Sequence, residues 1–169
     1  MKFGKSVLFL AFAFALVFSY AADSAEAGPK GPSIVDVAVA ANSSGPFAGQ
    51  FDTLIAAVGA ADPAVAATLT GNGQHTVLAP TDGAFEKLGL NPDNIGDVSP
   101  EALTQILLYH VANGRRDAAD VTTSSQIRTL QGGFIEVDGT VLDGNVNIFQ
   151  PDVFAANGVI HVIDGVLMP

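Results

Sequence analysis

Three histidines, His75, His110 and His161, are spread through a chain rich in carboxylates and free of cysteine. Such residues could supply acid–base catalysis, a metal site or a hydrolytic triad, and their spacing decides among these. No H-x-H, H-x-x-x-H or H-E-x-x-H pair occurs, so a zinc site would have to be assembled by tertiary contacts alone. A calcium loop is approached by "NPDNIGDVSPEA", residues 91–102, with oxygen ligands at its first and third positions and Gly96 at the sixth. Ile95 fills the fifth position and Ala102 the twelfth, where a bidentate glutamate is required, so the stretch reads as a solvated acidic loop. The chain has no G-x-S-x-G elbow, and no spacing selects a carboxylate pair for glycoside hydrolysis. "GNG" at 71–73 lacks the third glycine and the preceding strand of a dinucleotide-binding turn. The expectation is a non-enzyme with no metal and no cofactor.

His110 lies in "ILLYHV", residues 106–111. At about 100° per residue Leu103, Ile106, Leu107 and His110 fall on one helical stripe, which places the imidazole on the apolar face. A buried neutral ring needs partners for both nitrogens, or it loses about 1–3 kcal/mol. The spacing therefore predicts a structural histidine bonded to backbone or to another side chain. His161, in "VIHVI", shares a strand face with Val159 and Ile163 while Ile160 and Val162 take the other, the pattern of a central strand. His75, at the start of "HTVLAP", is expected to be half exposed.

The elements around these residues change character along the chain. Lys2 and Lys5 precede an apolar run from Val7 to Phe18, followed by "AEA" at 25–27, so residues 1–27 read as a secretory signal and 28–32 as a Gly/Pro linker. A single domain is expected over 33–169, with no membrane span once the signal is removed. Without Lys2, Lys5, Asp23 and Glu26 the balance is 5 basic against 15 acidic residues, still −10, which disfavours nucleic acid as a partner. Ser33 is a predicted N-cap for "IVDVAVA"; "NSSGPFAGQ" reads as loop, its Asn42 sequon as a polar turn. Helices follow at "FDTLIAAVGA", at "DPAVAATL" with Asp62 as cap and Pro63 at the first position, and at "DGAFEKLGL" with Thr81 as cap and Phe85 and Leu88 on one face. Ser99, Pro100 and Glu101 announce the helix "EALTQILLYHV". From Gln126 the period becomes two, with Asp138-Gly139 and Asp143-Gly144 as turn pairs. Helices first and strands after predict an α+β domain with a largely antiparallel sheet.

Three segments, in order, resemble fasciclin domains: "HTVLAPTDGAFEKL" (75–88) their first signature, "ILLYHVANG" (106–114) their Tyr-His box, and "NGVIHVIDGVLMP" (157–169) their second signature. The resemblance covers about residues 33–169. It implies a wedge-shaped β-sandwich with helices packed around it, mainly from the N-terminal half, and a role in adhesion. In animal members an Asp-Ile dipeptide before the second signature and the Tyr-His box are implicated in integrin contact. Asp152-Val153 stands at the dipeptide's position here, valine replacing isoleucine.

The resemblance thus implies a secreted cell-adhesion or matrix-associated protein, extracellular, on the cell surface or in a periplasm. Its partner would be a cell-surface or matrix macromolecule, protein or polysaccharide. The expected contact residues are Asp152, Val153 and Phe154, with Tyr109 beside them and His110 in the box. Some secreted relatives of the family bind carotenoids, so the alternative expectation is a carrier of a small lipophilic ligand held between helices and sheet.

Overall fold

The computed structural model describes residues 31–169. The expected signal at 1–27 lies outside the described residues. Ser33 opens α1 (Ile34–Ser43) with a capping box: its hydroxyl accepts the Asp36 N–H, and the Asp36 carboxylate accepts the Ser33 N–H at 2.8 Å. The helix runs further than the apolar heptad suggests. Asn42 lies in its last turn and not in a polar turn, because its amide accepts the Phe51 N–H and donates to Asp52. Helices α2 (Asp52–Ala60) and α3 (Pro63–Thr70) follow, α3 capped by the Asp62 carboxylate with Pro63 in its first turn. Strand β1 (His75–Pro80) then leads into α4 (Asp82–Glu86).

Helix α4 is shorter than its sequence suggests. Thr81 holds the N-cap position without a side-chain cap bond, and Leu88 falls beyond the helix end, exposed, while Phe85 is buried. Ile95, at the fifth position of the acidic loop, opens a 3-10 turn (Ile95–Asp97) as a core residue. Helix α5 (Pro100–Tyr109) starts as expected, Ser99 accepting the Ala102 N–H. After it come β2 (Val111–Asn113) and α6 (Ala118–Thr123), then β3 (Gln126–Arg128), β4 (Phe134–Asp138), β5 (Val141–Leu142), β6 (Val146–Ala155) and β7 (Gly158–Ile163).

The strands form one seven-stranded sheet in the order β2-β1-β7-β6-β5-β4-β3. Its pairings are antiparallel except β1–β7, which is parallel. The two ends of that order also meet. Ala112 bridges to Thr129, and the Leu130 N–H donates to the Val111 carbonyl at 2.7 Å, so the sheet curls over on itself. This makes the α+β sandwich that the fasciclin resemblance implies. Alternation on the central strands then fills two cores. Val77, Ala79, Ile160 and Val162 face the helices, while Leu78 and Ile163 point into the curled sheet with Ile135, Leu142 and Leu167. Among the described residues no single helix is long and apolar enough to cross a membrane.

The hairpin between β6 and β7 is held from outside the sheet. Asn157, fully buried, accepts the Ile34 N–H on its side-chain oxygen and donates to the carbonyls of Leu69 at 2.7 Å and Gly71 at 2.9 Å. Gly158 follows because a Cβ there would overlap the His75 carbonyl oxygen and meet Ile34 Cδ1 at 2.8 Å. Asn157→Ala strands one amide and two carbonyls in the interior and is expected to cost about 3 kcal/mol or more. Gly158→Ala is expected to cost about 3 kcal/mol by forcing β1 from β7. Urea unfolding of the two variants checks both values; a shift below about 1 kcal/mol in either would contradict this account of the hairpin.

Candidate partner-binding surface

Strand β6 reaches the expected Asp-Val-Phe segment through irregular pairing. Its register against β7 shifts twice, between Ile148 and Gln150 and between Gln150 and Val153, so β6 carries extra residues there. Pro151, which has no N–H to offer a ladder, lies in the second irregularity beside Asp152, whose φ of 61° is left-handed. Aspartate tolerates that conformation better than most residues. Two bonds hold it: the Asp152 N–H donates to His161 Nδ1 at 3.2 Å, and Asp152 Oδ1 accepts the Ala118 N–H at the start of α6 at 2.8 Å.

Beyond the bulge the side chains alternate. Val153 is half-buried against the helical core, and Phe154 turns outward, 53% exposed, with the Arg115 guanidinium 4.8 Å from its ring centre. That distance is within cation–π range. Arg115 and Arg116, in "GRR" after the Tyr-His box, were not singled out from the sequence. Two adjacent arginines in an otherwise acidic chain were the available signal.

His161 supports this surface from beneath. It is fully buried on β7 opposite Leu78, on the expected face of a central strand. Because Nδ1 accepts the Asp152 N–H, the proton belongs on Nε2, which donates to the Arg116 carbonyl at 2.9 Å. One neutral imidazole thus joins the β6 bulge to the arginine loop. His75, by contrast, is buried and not half exposed, since β2 and β7 flank the start of β1; burial lowers its pKa.

Tyr109 and His110 occupy the second core and its border. Tyr109 is 6% exposed, and its hydroxyl lies 3.0 Å from the Phe134 carbonyl and 3.2 Å from Asp143 Oδ2, which fixes the β5–β6 turn. Burial, then the Asp143 charge, raises its pKa. His110 closes α5. Nε2 accepts the Leu167 N–H at 2.9 Å, so Nδ1 carries the proton and donates to the Ile106 carbonyl at 2.8 Å. Both nitrogens are satisfied, as the helical stripe predicts, and Leu167 ties the last residues of the chain to α5. Among the described residues no group of three or more His, Cys, Asp or Glu side chains converges as metal ligands.

Comparison with known proteins places this arrangement. The fasciclin-domain family model matches residues 49–169, and the chain belongs to that family. It is similar to the pig transforming growth factor-beta-induced protein ig-h3, 39% identical over 125 residues, covering 70% of this chain and 18% of that protein. It is equally similar to the immunogenic protein MPB70 of Mycobacterium bovis, 39% identical over 159 residues, covering 88% of this chain and 79% of that one. Among solved structures, a FAS1 domain pair from the insect cell adhesion molecule fasciclin I superposes with a TM-score of 0.59 at 18% identity, over 82% of this chain and 51% of that one. That last likeness concerns the fold.

Burial lowers the His110 pKa from 6.5 to about 4, against smaller opposing effects of the Ile106 bond and the Asp143 charge. A depressed histidine favours folding while neutral. Its contribution is complete above pH 6.5 and is lost as pH falls toward about 4, up to about 3 kcal/mol in all. In His110→Leu the Leu167 N–H and the Ile106 carbonyl lose their side-chain partner, so about 2 kcal/mol should be lost at pH 7. The same variant should show a shallower fall in stability between pH 6.5 and 4 than wild type; parallel pH profiles would contradict the assignment. At the bulge, Asp152→Asn keeps an acceptor for Ala118 and tolerates positive φ, so its melting curve should match wild type. Asp152→Ala loses both features and should cost about 1–2 kcal/mol, read by thermal unfolding.

Proposed function

We propose that the protein is an exported adhesion or matrix-associated protein that holds a cell-surface or matrix macromolecule on the β6 segment Asp152, Val153 and Phe154, with Phe154 as its outward contact. In this reading residues 1–27 are a signal peptide, 33–169 are the domain, and the protein works outside the cytoplasm without catalysis. The observation that carries it is Phe154, 53% exposed beside Arg115 on a backbone anchored from below by His161. Aromatic residues and arginine are enriched at protein interfaces relative to the rest of the surface. Membership of the fasciclin family, and the likeness of the fold to domains of an insect cell adhesion molecule, support the same reading. Tyr109 and His110 contribute from the interior, by holding α5, the β5–β6 turn and the chain's last residues in place.

An apolar cleft bordered by Ile34, Val35, Ala38, Leu54 and Val58, with His110 at its floor, favours the second reading, a carrier of a small lipophilic ligand such as a carotenoid. Its volume of about 80 Å³ compares with roughly 300–1,000 Å³ for small-molecule sites, so a long polyene requires α1 and α2 to part.

Phe154→Ser and Asp152→Asn should each lower adhesion of cells or immobilised matrix to the purified protein at least about fivefold, the equivalent of 1 kcal/mol. Their melting temperatures should stay at the wild-type value. Tyr109→Phe should keep full adhesion. Wild-type adhesion by Phe154→Ser would remove the β6 face from consideration.

A further inference from the structure

From Lys30 onward the chain has five basic residues, Lys30, Lys87, Arg115, Arg116 and Arg128, within a net charge of −10. Three of the five gather where the curled sheet closes. The bridge between Ala112 and Thr129 brings the β2 exit beside the end of β3, and a hollow of about 430 Å³ forms there. Asn113, Arg116, Arg128, Thr129, Leu130 and Gly132 line it, and Arg115, next in the chain, extends the cationic surface to Phe154.

Arg116 is set in place before any ligand arrives. Its N–H donates to the Thr76 hydroxyl at 2.9 Å, that hydroxyl donates to the Gly114 carbonyl at 2.8 Å, and its own carbonyl accepts from buried His161. The guanidinium Nε is nonetheless buried without a hydrogen-bond partner. An unsatisfied buried donor on a charged group is costly, and an oxyanion approaching edge-on in the guanidinium plane, where the N–H bonds point, would satisfy it. Arginine rather than lysine in these positions offers the planar fork that matches a carboxylate.

The neighbours narrow the ligand class. Asn113 is exposed beside the guanidinium groups, and Leu130 and Phe154 supply apolar surface at the border of the same patch. A uronic acid unit presents one carboxylate, several hydroxyls and an apolar C–H face, and so matches all three features. A polyglutamate chain presents the carboxylates without ring hydroxyls or a flat C–H face. At a distance the net negative charge of the protein repels any polyanion, so binding here depends on local fit and not on general attraction.

We propose that this hollow binds the carboxylate of an acidic polysaccharide, with Arg116 and Arg128 pairing the carboxylate and Asn113 taking a hydroxyl. The proposal rests on the β6-face reading in that Phe154 and Arg115 border both, but its own residues lie outside Asp152–Phe154. Calorimetric titration with polygalacturonate oligomers at about 50 mM salt, where the Debye length is still above 10 Å, tests it. Wild type should bind; Arg116→Gln and the exposed Arg128→Gln should each weaken binding about tenfold or more, and Lys87→Gln should not. Arg128→Gln keeps the test valid should Arg116→Gln disturb the fold. Absence of binding by wild type, equal loss in Lys87→Gln, equal binding of methyl-esterified polygalacturonate, or equal binding of polyglutamate would each overturn the proposal. Adhesion is scored separately on Phe154→Ser: undiminished adhesion by that variant sinks the β6-face reading, while the titration alone decides the hollow.

Discussion

The side-chain amide of Asn157 meets the first N–H of α1 and the carbonyls of Leu69 and Gly71 at the end of α3 from within the β6–β7 turn, and both of its N–H donors are used. Its backbone carbonyl takes the N–H of His75, where β1 begins. One residue thereby fixes the helical layer, the start of β1 and the start of β7 relative to each other. The next residue, Gly158, lets β7 lie against β1 at a distance no side chain would permit. Everything further along β7 inherits this register, including His161 and, through it, the carbonyl of Arg116 and the N–H of Asp152. The exposed surface is the far end of a chain of contacts that starts in the core.

Two buried histidines transmit that order, and they do so as opposite tautomers. His110 donates from Nδ1 and accepts at Nε2; His161 accepts at Nδ1 and donates from Nε2. Each ring spends both nitrogens on backbone groups far apart in sequence: α5 with the chain's last residues in one case, β6 with the arginine loop in the other. A ring so engaged has no lone pair for a metal and no proton for a substrate. In these two residues the chemistry that histidine could bring is thus used for connection, and desolvation keeps His110 neutral at ordinary pH.

Legibility in the sequence follows the range of the interaction. The burial of His110 and the central place of His161 were readable because helical and strand periods are local, as were the caps at Ser33, Asp62 and Ser99. The ordered fasciclin segments carried the fold class beyond that. Helix α6 was missed because "AADVTT" has two β-branched threonines and only Val121 buried, and β2 because three residues show no period. The parallel β1–β7 pairing joins residues more than 80 apart, and the meeting of Arg116 with Arg128 depends on closure of the sheet; neither leaves a local mark. Asp152-Val153 was found by position, but not its role as a left-handed bulge residue whose carboxylate also holds α6. Leu88 shows the reverse failure, a local signal that the early end of α4 leaves unused, and Thr81 takes the N-cap position without its side chain making the cap bond.

In the proposed function a buried scaffold presents one partner surface around Phe154 and the neighbouring arginines. Amide hydrogen exchange, compared between the free protein and the protein bound to the cell-surface or matrix material of the adhesion assay, tests this directly. New protection should be confined to the arginine loop and the β6 bulge, at 113–116 and 152–155, with the amides of the buried strands β1 and β7 exchanging alike in both states. Protection centred on the exposed sides of α1 and α2 instead, with the β6 bulge exchanging as in the free protein, would contradict it.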